Sequence, residues 1–406
     1  MGVGAQTRSP ERLLMRIKSV KAVWLHVPIP KERQHRSDFG VIASFDTTLI
    51  TIETEDGLIG HGEGRASVAS SGNNAGVAAI VNDEFGPQII GEDARDIVRL
   101  WEELYNGPRA HYALARGRSF PILGRRGIHI AAIGAIDMAL WDLNGKALGV
   151  PVWRLLGGRT HATLPAYASG GWAPAETIGE QLQSYIDRGG FKAVKMRVGT
   201  GDGEVADSVR RVKAARKALG DQVDIMADAH GTYSVPEAKR FAREVADCRL
   251  AWFEEPVTGD NKIGMAEVRA STDIPISAGE CEFTRFDFQE LAALRAVDIF
   301  QPDPAICGGI TETMRIAALA QTHQIRLAPH LWGGPLHFAA GLHVSAVSPA
   351  ATILEYSLGA NPLLFELPKE QFTVTNGEMT IPDRPGLGVT ISEDFVRRYA
   401  VRPSGG

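Results

Sequence analysis

The sequence predicts an α/β protein, a (β/α)8 barrel preceded by an α+β unit. Three observations predict it. Short apolar stretches bounded by turn residues recur eight times after about residue 160, with a helical stretch between each pair. Strands alternating with helices mean βα units on a parallel sheet, and eight such units suggest a closed barrel. Residues 1–150 have a different texture, strands first and helices after, which reads as an α+β unit. Finally, the second to the eighth apolar stretch each carry an ionisable side chain near the C-terminal end. In a barrel those ends share one mouth, where active sites are built.

The elements follow in chain order. Residues 1–14 are polar and expected to fray. "SVKAVWLHVPIP" (19–30) and "ASFDTTLITIETEDGLIGHGEG" (43–64) read as strands, the second folded at Asp56-Gly57, a hairpin-type turn. Residues 77–145 read mostly as helices. The clearest is "HIAAIGAIDMALWDLNGKALG" (129–149), with Ile133, Ile136, Leu140 and Leu143 at helical spacing and Gly149 and Pro151 as stops. The eight repeated strands are "LPAYASG", "AVKMRVG", "DIMADAHG", "LAWFEEP", "IPISAGE", "VDIFQPD", "IRLAPH" and "TILEYS". After Leu367 the chain turns strand-like again ("FTVTNGEMTIPDRPGLGV") and is expected to return to the first unit. The expected units are 1–155, 156–367 as a (β/α)7β-type barrel, and 368–406. "GTGDGEV" (199–205) is rich in glycine but lacks the order of a phosphate loop, so it reads as a plain βα loop.

Composition sets bounds. The chain has 406 residues, 44% hydrophobic and 22% charged, with a net charge of −5. That is ordinary for a soluble globular protein and gives no reason to expect nucleic acid or an anionic membrane as partner. Three cysteines without a C-x-x-C pattern point away from a disulfide framework and toward a reducing cytoplasm. No apolar leader and no run long enough to span a membrane is expected.

The strand "FKAVKMRVG" poses a question. Lys195 and Arg197 are two apart, so they share one face. Two cations buried side by side need an anion. Candidates are a substrate carboxylate or the carboxylates of the neighbouring strands. Asp228, Glu254 and Glu280 lie on three successive strands. Converging there, they would repel one another without a cation. Oxygen ligands alone suit a hard divalent ion, Mg2+ above all. Asp303 and His330, on adjacent strands, can form a dyad in which the carboxylate orients the imidazole and raises its basicity. His230 follows Asp228 by two and reaches the same mouth. Each residue alone has a bland explanation: a helix cap for an Asp, a solvated turn for Glu254-Glu255-Pro256, a satisfied core residue for His330. Seven such side chains at one end of seven strands favour a site. Trp332 could line a pocket or pack. The loops "PKERQHRSDFG" and "GEGRASVASSGNN" should cover the mouth, and their Arg33, His35, Arg36 and Arg65 suit either a hydroxylated acid or solvent.

The motifs "ALWDLNGKALGVPVWRLLGG", the lysine of "VKMR", "DAHG", "FEEP", "ISAGE", "QPD…GGIT", "PHLWGG" and "LEYS" resemble, in order and over nearly the whole chain, the enolase superfamily and within it the mandelate racemase family. The resemblance implies a modified TIM (β/α)8 barrel under an α+β N-terminal capping domain. It implies abstraction of a proton α to a carboxylate, with Mg2+ stabilising the enediolate. Carried over, Asp228, Glu254 and Glu280 match the metal ligands, and Asp303 and His330 the dyad. Glu355 matches an acid that donates a hydrogen bond to the enediolate. Lys195 matches a lysine that holds the carboxylate. Arg197 departs from the second lysine often found there, a base on one face of the substrate. Guanidinium does not deprotonate near neutral pH, so Lys195 could replace that base only with a lowered pKa. His230 replaces a frequent asparagine, and in some sugar-acid dehydratases of the family such a histidine acts as acid.

The expected function is therefore dehydration of an aldonic or aldaric acid to a 2-keto-3-deoxy acid. His330 is the base, His230 or protonated His330 the acid, and Lys195, Arg197 and Trp332 contact the substrate. The alternative is a racemase or epimerase of a hydroxy acid or amino acid derivative. A small-molecule carboxylate as partner, a cytoplasmic location and a homo-oligomeric assembly complete the expectation.

Overall fold

The computed structural model describes residues 15–37, 40–68, 71–121 and 126–401. The expected frayed start and the side chains of His35 and Arg36 lie outside the described residues.

The N-terminal unit is built on an antiparallel sheet. β1 (Ile17–Pro28) pairs with β4 (Ser44–Thr54), and β4 with β5 (Ile59–Gly64). β2 (His35–Ser37) and β3 (Gly40–Ile42) form a small hairpin between them. The turn joining β4 to β5 holds Gly57 at φ +85°, which glycine tolerates at no steric cost. β5 reads Gly-His-Gly-Glu-Gly, and its alternation decides what it can touch. A Cβ at Gly60 would lie 2.2 Å from the Ala139 carbonyl oxygen, and one at Gly62 only 1.9 Å from that of Ala135. The glycine face thus lets the strand rest directly on the backbone of the helix Ile128–Leu148. The other face is left to His61 and Glu63.

That helix is apolar on nearly every side, as a helix enclosed all round must be. Three units meet on it. One face carries β5. Asp137 on another accepts hydrogen bonds from Thr311 of the barrel, 2.9 Å from N and 2.5 Å from Oγ1. Asp142 accepts from His61 N of the sheet and from Leu387 N of the C-terminal segment, at 2.9 and 2.8 Å. Gly149 ends it in the left-handed conformation.

The barrel strands are β6 (Thr163–Ser169), β7 (Ala193–Arg197), β8 (Asp224–Asp228), β9 (Trp252–Glu254), β10 (Ile276–Ala278), β11 (Ile299–Phe300), β12 (Arg326–Leu327) and β13 (Leu354–Ser357). Each pairs in parallel with the next from β6 to β12, and β13 returns to β6. The last seam closes through Leu327, whose N–H donates to Ala350 O at 2.8 Å and whose carbonyl accepts from Thr352. Inside, Tyr167, Met226, Trp252, Ile299 and Ala328 form a packed plug, as barrel interiors are filled and not hollow.

The C-terminal segment serves both units. β14 (Val374–Thr375) and β15 (Glu378–Thr380) form a hairpin, and β15 runs antiparallel to the start of β6 at the barrel floor. Beyond it, Leu387 meets Asp142, and Ala400 bridges to Leu25 of β1. The "GTGDGEV" stretch is a βα loop. Its Asp202 accepts from Ser208 and Arg211 at 2.6 Å each.

Candidate active site

Strand register assembles the mouth. Arg197 at the end of β7 is the Cα partner of Asp228, and Asp228 is the partner of Glu254. Glu280 stands just past β10, the strand paired to β9. Asp228, Glu254 and Glu280 are buried, and each brings a carboxylate oxygen within 4.8 Å of the others. Glu254 is held by Trp252 Nε1 at 2.9 Å and Gln301 Nε2 at 2.8 Å, both on Oε2. Trp252 belongs to the barrel plug, so packing and the orientation of Glu254 share a side chain.

The anion that meets the two cations is the carboxylate cluster. Lys195 Nζ lies 2.5 Å from Glu254, 3.0 Å from Glu355 and 3.4 Å from Asp228. Burial disfavours its charge, but Glu254 and then Glu355 outweigh burial and raise its pKa above that of an ordinary lysine. A lowered pKa, the condition for Lys195 to act as a base, is the opposite of what these neighbours produce. Arg197 pairs with Asp228 and its guanidinium stands over the Trp332 ring, 5.6 Å from the centroid. Trp332 is braced edge-on by Trp172 at 5.6 Å. Arg211, donating to the carbonyls of Arg197 and Gly171 at 2.6 and 2.9 Å, fixes the backbone beneath.

These residues fit a divalent cation. Among the described residues, Asp228, Glu254 and Glu355 pair with Lys195 and Arg197, and Glu280 faces the His330 ring, so buried carboxylates outnumber the lysine and arginine beside them. Glu280 Oε2 is buried without a hydrogen bond. An all-oxygen set with an unsatisfied carboxylate suits a hard ion of charge two.

Asp303, just past β11, caps the short helix Pro304–Cys307 by accepting from Ala305 N at 2.8 Å. Its Oδ2 lies 2.7 Å from His330 Nδ1. The other ring nitrogen of His330 stands 3.5 Å from Glu280 and so faces the carboxylate cluster. Burial opposes charging His330, but Glu280 and the bond to Asp303 prevail and raise its pKa. Burial also opposes ionising Asp303, but Arg65 and then His337 hold it well below the usual carboxylate range. Glu355 accepts from Leu331 N at 2.8 Å. Despite burial, Lys195 and then His330 hold it below the usual range. The resemblance implied that Glu355 donates a hydrogen bond to the enediolate; here its Oε2 accepts one from Leu331 N.

His230 sits at φ +45°. Its N–H donates to Asp228 Oδ1 at 3.0 Å, and its ring is 3.5 Å from Asp228 Oδ2. It borders a cavity of about 340 Å³ with Arg126, Glu255, Asp260 and Glu282. Glu255 is buried at φ +40°, not part of a solvated turn. Burial, then Glu280 and Glu254, push its carboxyl well above the usual range.

Two residues escaped the sequence reading. Arg65, assigned to solvent or substrate, is only 1% exposed and pairs with Asp303 and the Trp332 carbonyl. His337 Nε2 lies 3.0 Å from Asp303 Oδ1. The one available signal was Arg65's place two after Glu63, on the non-glycine face of β5.

Carboxylates at successive strand ends, a histidine–aspartate dyad and a docked cap define a capped barrel whose mouth suits a divalent cation. Residues 20–157 match the N-terminal domain of mandelate racemase / muconate lactonizing enzymes, and 177–395 match the enolase C-terminal domain-like family. The chain belongs to the mandelate racemase / muconate lactonizing enzyme family of the enolase superfamily. It is 37% identical over 363 residues to D-galactonate dehydratase of Pectobacterium atrosepticum, covering 86% of this chain and 89% of the relative. To D-galactarolactone cycloisomerase of Agrobacterium fabrum it is 34% identical, again over 363 residues, covering 86% and 90%. A Bradyrhizobium enolase complexed with magnesium and mandelic acid superposes with a TM-score of 0.82 at 31% identity, covering 95% of this chain and 99% of that one. Among the described residues no helix is long and apolar enough to cross a membrane.

Proposed function

We propose that this protein is a Mg2+-dependent dehydratase of a sugar acid, an aldonate or aldarate, giving a 2-keto-3-deoxy acid. The observation that carries the reading is His330. Its Nδ1 is engaged by Asp303 while its other nitrogen faces the carboxylate cluster. That leaves Nε2 as the base for a substrate α-proton. Asp228, Glu254 and Glu280 would hold Mg2+, which when bound supplies positive charge to the substrate carboxylate. Lys195 and Arg197 add fixed positive charge on the β7 side, where charge grows as the α-proton leaves. The C–H electron pair forms the new double bond and expels the β-hydroxyl. His230 or the protonated His330 supplies the proton that makes it water. The enol then tautomerises to the keto acid. Names of relatives support this class of substrate.

Racemisation needs a base on each face. Arg197 offers a guanidinium, which does not deprotonate near neutral pH, where a second lysine would offer a base, and Lys195 is engaged by Glu254 and Glu355, which favours elimination. The cycloisomerase relative points to one variant: the same proton abstraction with a ring oxygen as leaving group.

The test is a screen of the Mg2+-loaded protein against sugar acids and their lactones, read by keto-acid formation and by mass. Loss of one water supports dehydration. A product of unchanged mass with a new keto group supports cycloisomerisation. A product of unchanged mass with only an inverted centre overturns the proposal in favour of epimerisation.

A further inference from the structure

The base of this enzyme is not built by the barrel alone. Four groups meet Asp303. Ala305 N donates to Oδ1 at 2.8 Å, His337 Nε2 stands 3.0 Å from Oδ1 and 3.1 Å from the His330 carbonyl oxygen to which it is hydrogen-bonded, and His330 Nδ1 reaches Oδ2 at 2.7 Å. The fourth is Arg65 on Oδ2, and Arg65 belongs to the cap. With its other terminal nitrogen Arg65 donates to the carbonyl of Trp332, two residues beyond His330. Its neighbour on the same face of the strand, Glu63, takes the opposite part. The Glu63 carboxylate accepts from Gly334 N at 2.8 Å and His337 N at 3.1 Å, at the first turn of the helix Pro335–Val347. A Cβ at Gly334 would lie 2.5 Å from that carboxylate, so a side chain there would push it aside.

One strand end thus grips both sides of the loop 330–337 that carries the histidine. We propose that Arg65, at the strand end that Glu63 ties to the same loop, is a positioning residue that makes the His330 base depend on docking of the cap. The proposal rests on the reading of His330 as the base. Ordinary interdomain adhesion explains Glu63 and Asp137 well. It explains Arg65 poorly, because a buried ion pair is weak evidence for stability. Its side chain is spent on the dyad carboxylate and on the loop beside the dyad, and holding a catalytic group in line is where such rigidity counts.

The experiment uses the full chain with Mg2+. Arg65→Met and Arg65→Lys are compared with wild type in kcat, in KM and in exchange of the substrate α-proton. A second readout needs no substrate: the downfield proton resonance of the buried imidazole N–H on Asp303, assigned by its loss in His330→Asn. In Arg65→Met we expect kcat to fall on the order of 10²-fold, the scale of about 1 Å of misplacement, with KM little changed and the resonance shifted or lost. Arg65→Lys should recover part of both, since an ammonium can reach one acceptor but not fork to two. Wild-type kcat with an unmoved resonance in Arg65→Met overturns the proposal. So does a change in KM alone, which would make Arg65 a substrate contact. If the methionine variant does not fold, Arg65→Lys decides by the same criteria. If no acid is turned over, the proposed function fails, and the resonance still decides the role of Arg65. If wild type shows no resonance that His330→Asn removes, the dyad bond is absent and the proposal falls.

Discussion

Arg197 carries the largest departure from the pattern this chain resembles, and its surroundings say what the change achieves. It meets Asp228 on one side and the face of Trp332 on the other. A planar guanidinium can pair with a carboxylate and lie over a ring at once, whereas an ammonium is a compact point charge. We expect Arg197→Lys to lose activity on the order of 10²-fold, a loss of geometry and not of charge. The check is a double-mutant cycle on kcat/KM with Trp332→Leu. If the ring orients the guanidinium, the two losses are not additive. Additive losses would mean that Trp332 and Arg197 act independently.

At the scale of elements, β5 is the strand to perturb. Its glycine face touches a helix backbone, and its other face, with Arg65 just beyond, grips the dyad loop. Gly62→Ala places a Cβ 1.9 Å from the Ala135 carbonyl oxygen, so strand and helix must part. Overpacking of this kind costs about 1–3 kcal/mol. A urea titration should show a lower midpoint, and kcat should fall with it, because Glu63 and Arg65 ride on the displaced strand. An unchanged midpoint with unchanged kcat would show that the strand end moves freely of the helix.

At the scale of the whole molecule, two linkages follow. The buried excess of negative charge at the mouth destabilises the cation-free fold, so Mg2+ binding must stabilise it. A ligand at a hundred times its Kd adds about 2.7 kcal/mol. Thermal melts with and without chelator should show that gain, and Glu280→Gln should abolish it. Protons supply the second linkage. Burial, the leading cause, raises Asp137 from 3.8 to about 7. Its neutral form therefore favours the fold below pH 3.8, and that contribution is lost as pH rises through 7. Burial lowers His343 from 6.5 to about 4. Its contribution is complete above pH 6.5 and lost as pH falls toward 4. The two slopes oppose each other across the same window. Asp137→Asn removes the first, so its stability should climb with pH from 4 to 7 more steeply than wild type. The divergence should reach up to about 4 kcal/mol. Parallel curves would mean that Asp137 titrates as an exposed carboxylate does.

What the sequence determined by itself is everything that local periodicity reports. The strand–helix repeat specified the barrel. The period of two put Lys195 and Arg197 on one face, and the position of each acid at a strand end put it at the mouth. The helix 128–148, stopped at Gly149, was legible for the same reason. What only the tertiary structure decided is which group meets which. Periodicity shows that a face is buried but not what covers it. Arg65 and Asp303 are 238 residues apart in the chain. No local pattern distinguishes an arginine bound for solvent from one that will hold a catalytic aspartate. A solvated turn was open for Glu255 because the left-handed backbone at which it is buried has no sequence signature in a glutamate. Lys195 could be placed among carboxylates from register alone. That those carboxylates are its direct partners depends on distances of 2.5 to 3.4 Å that only the closed barrel fixes.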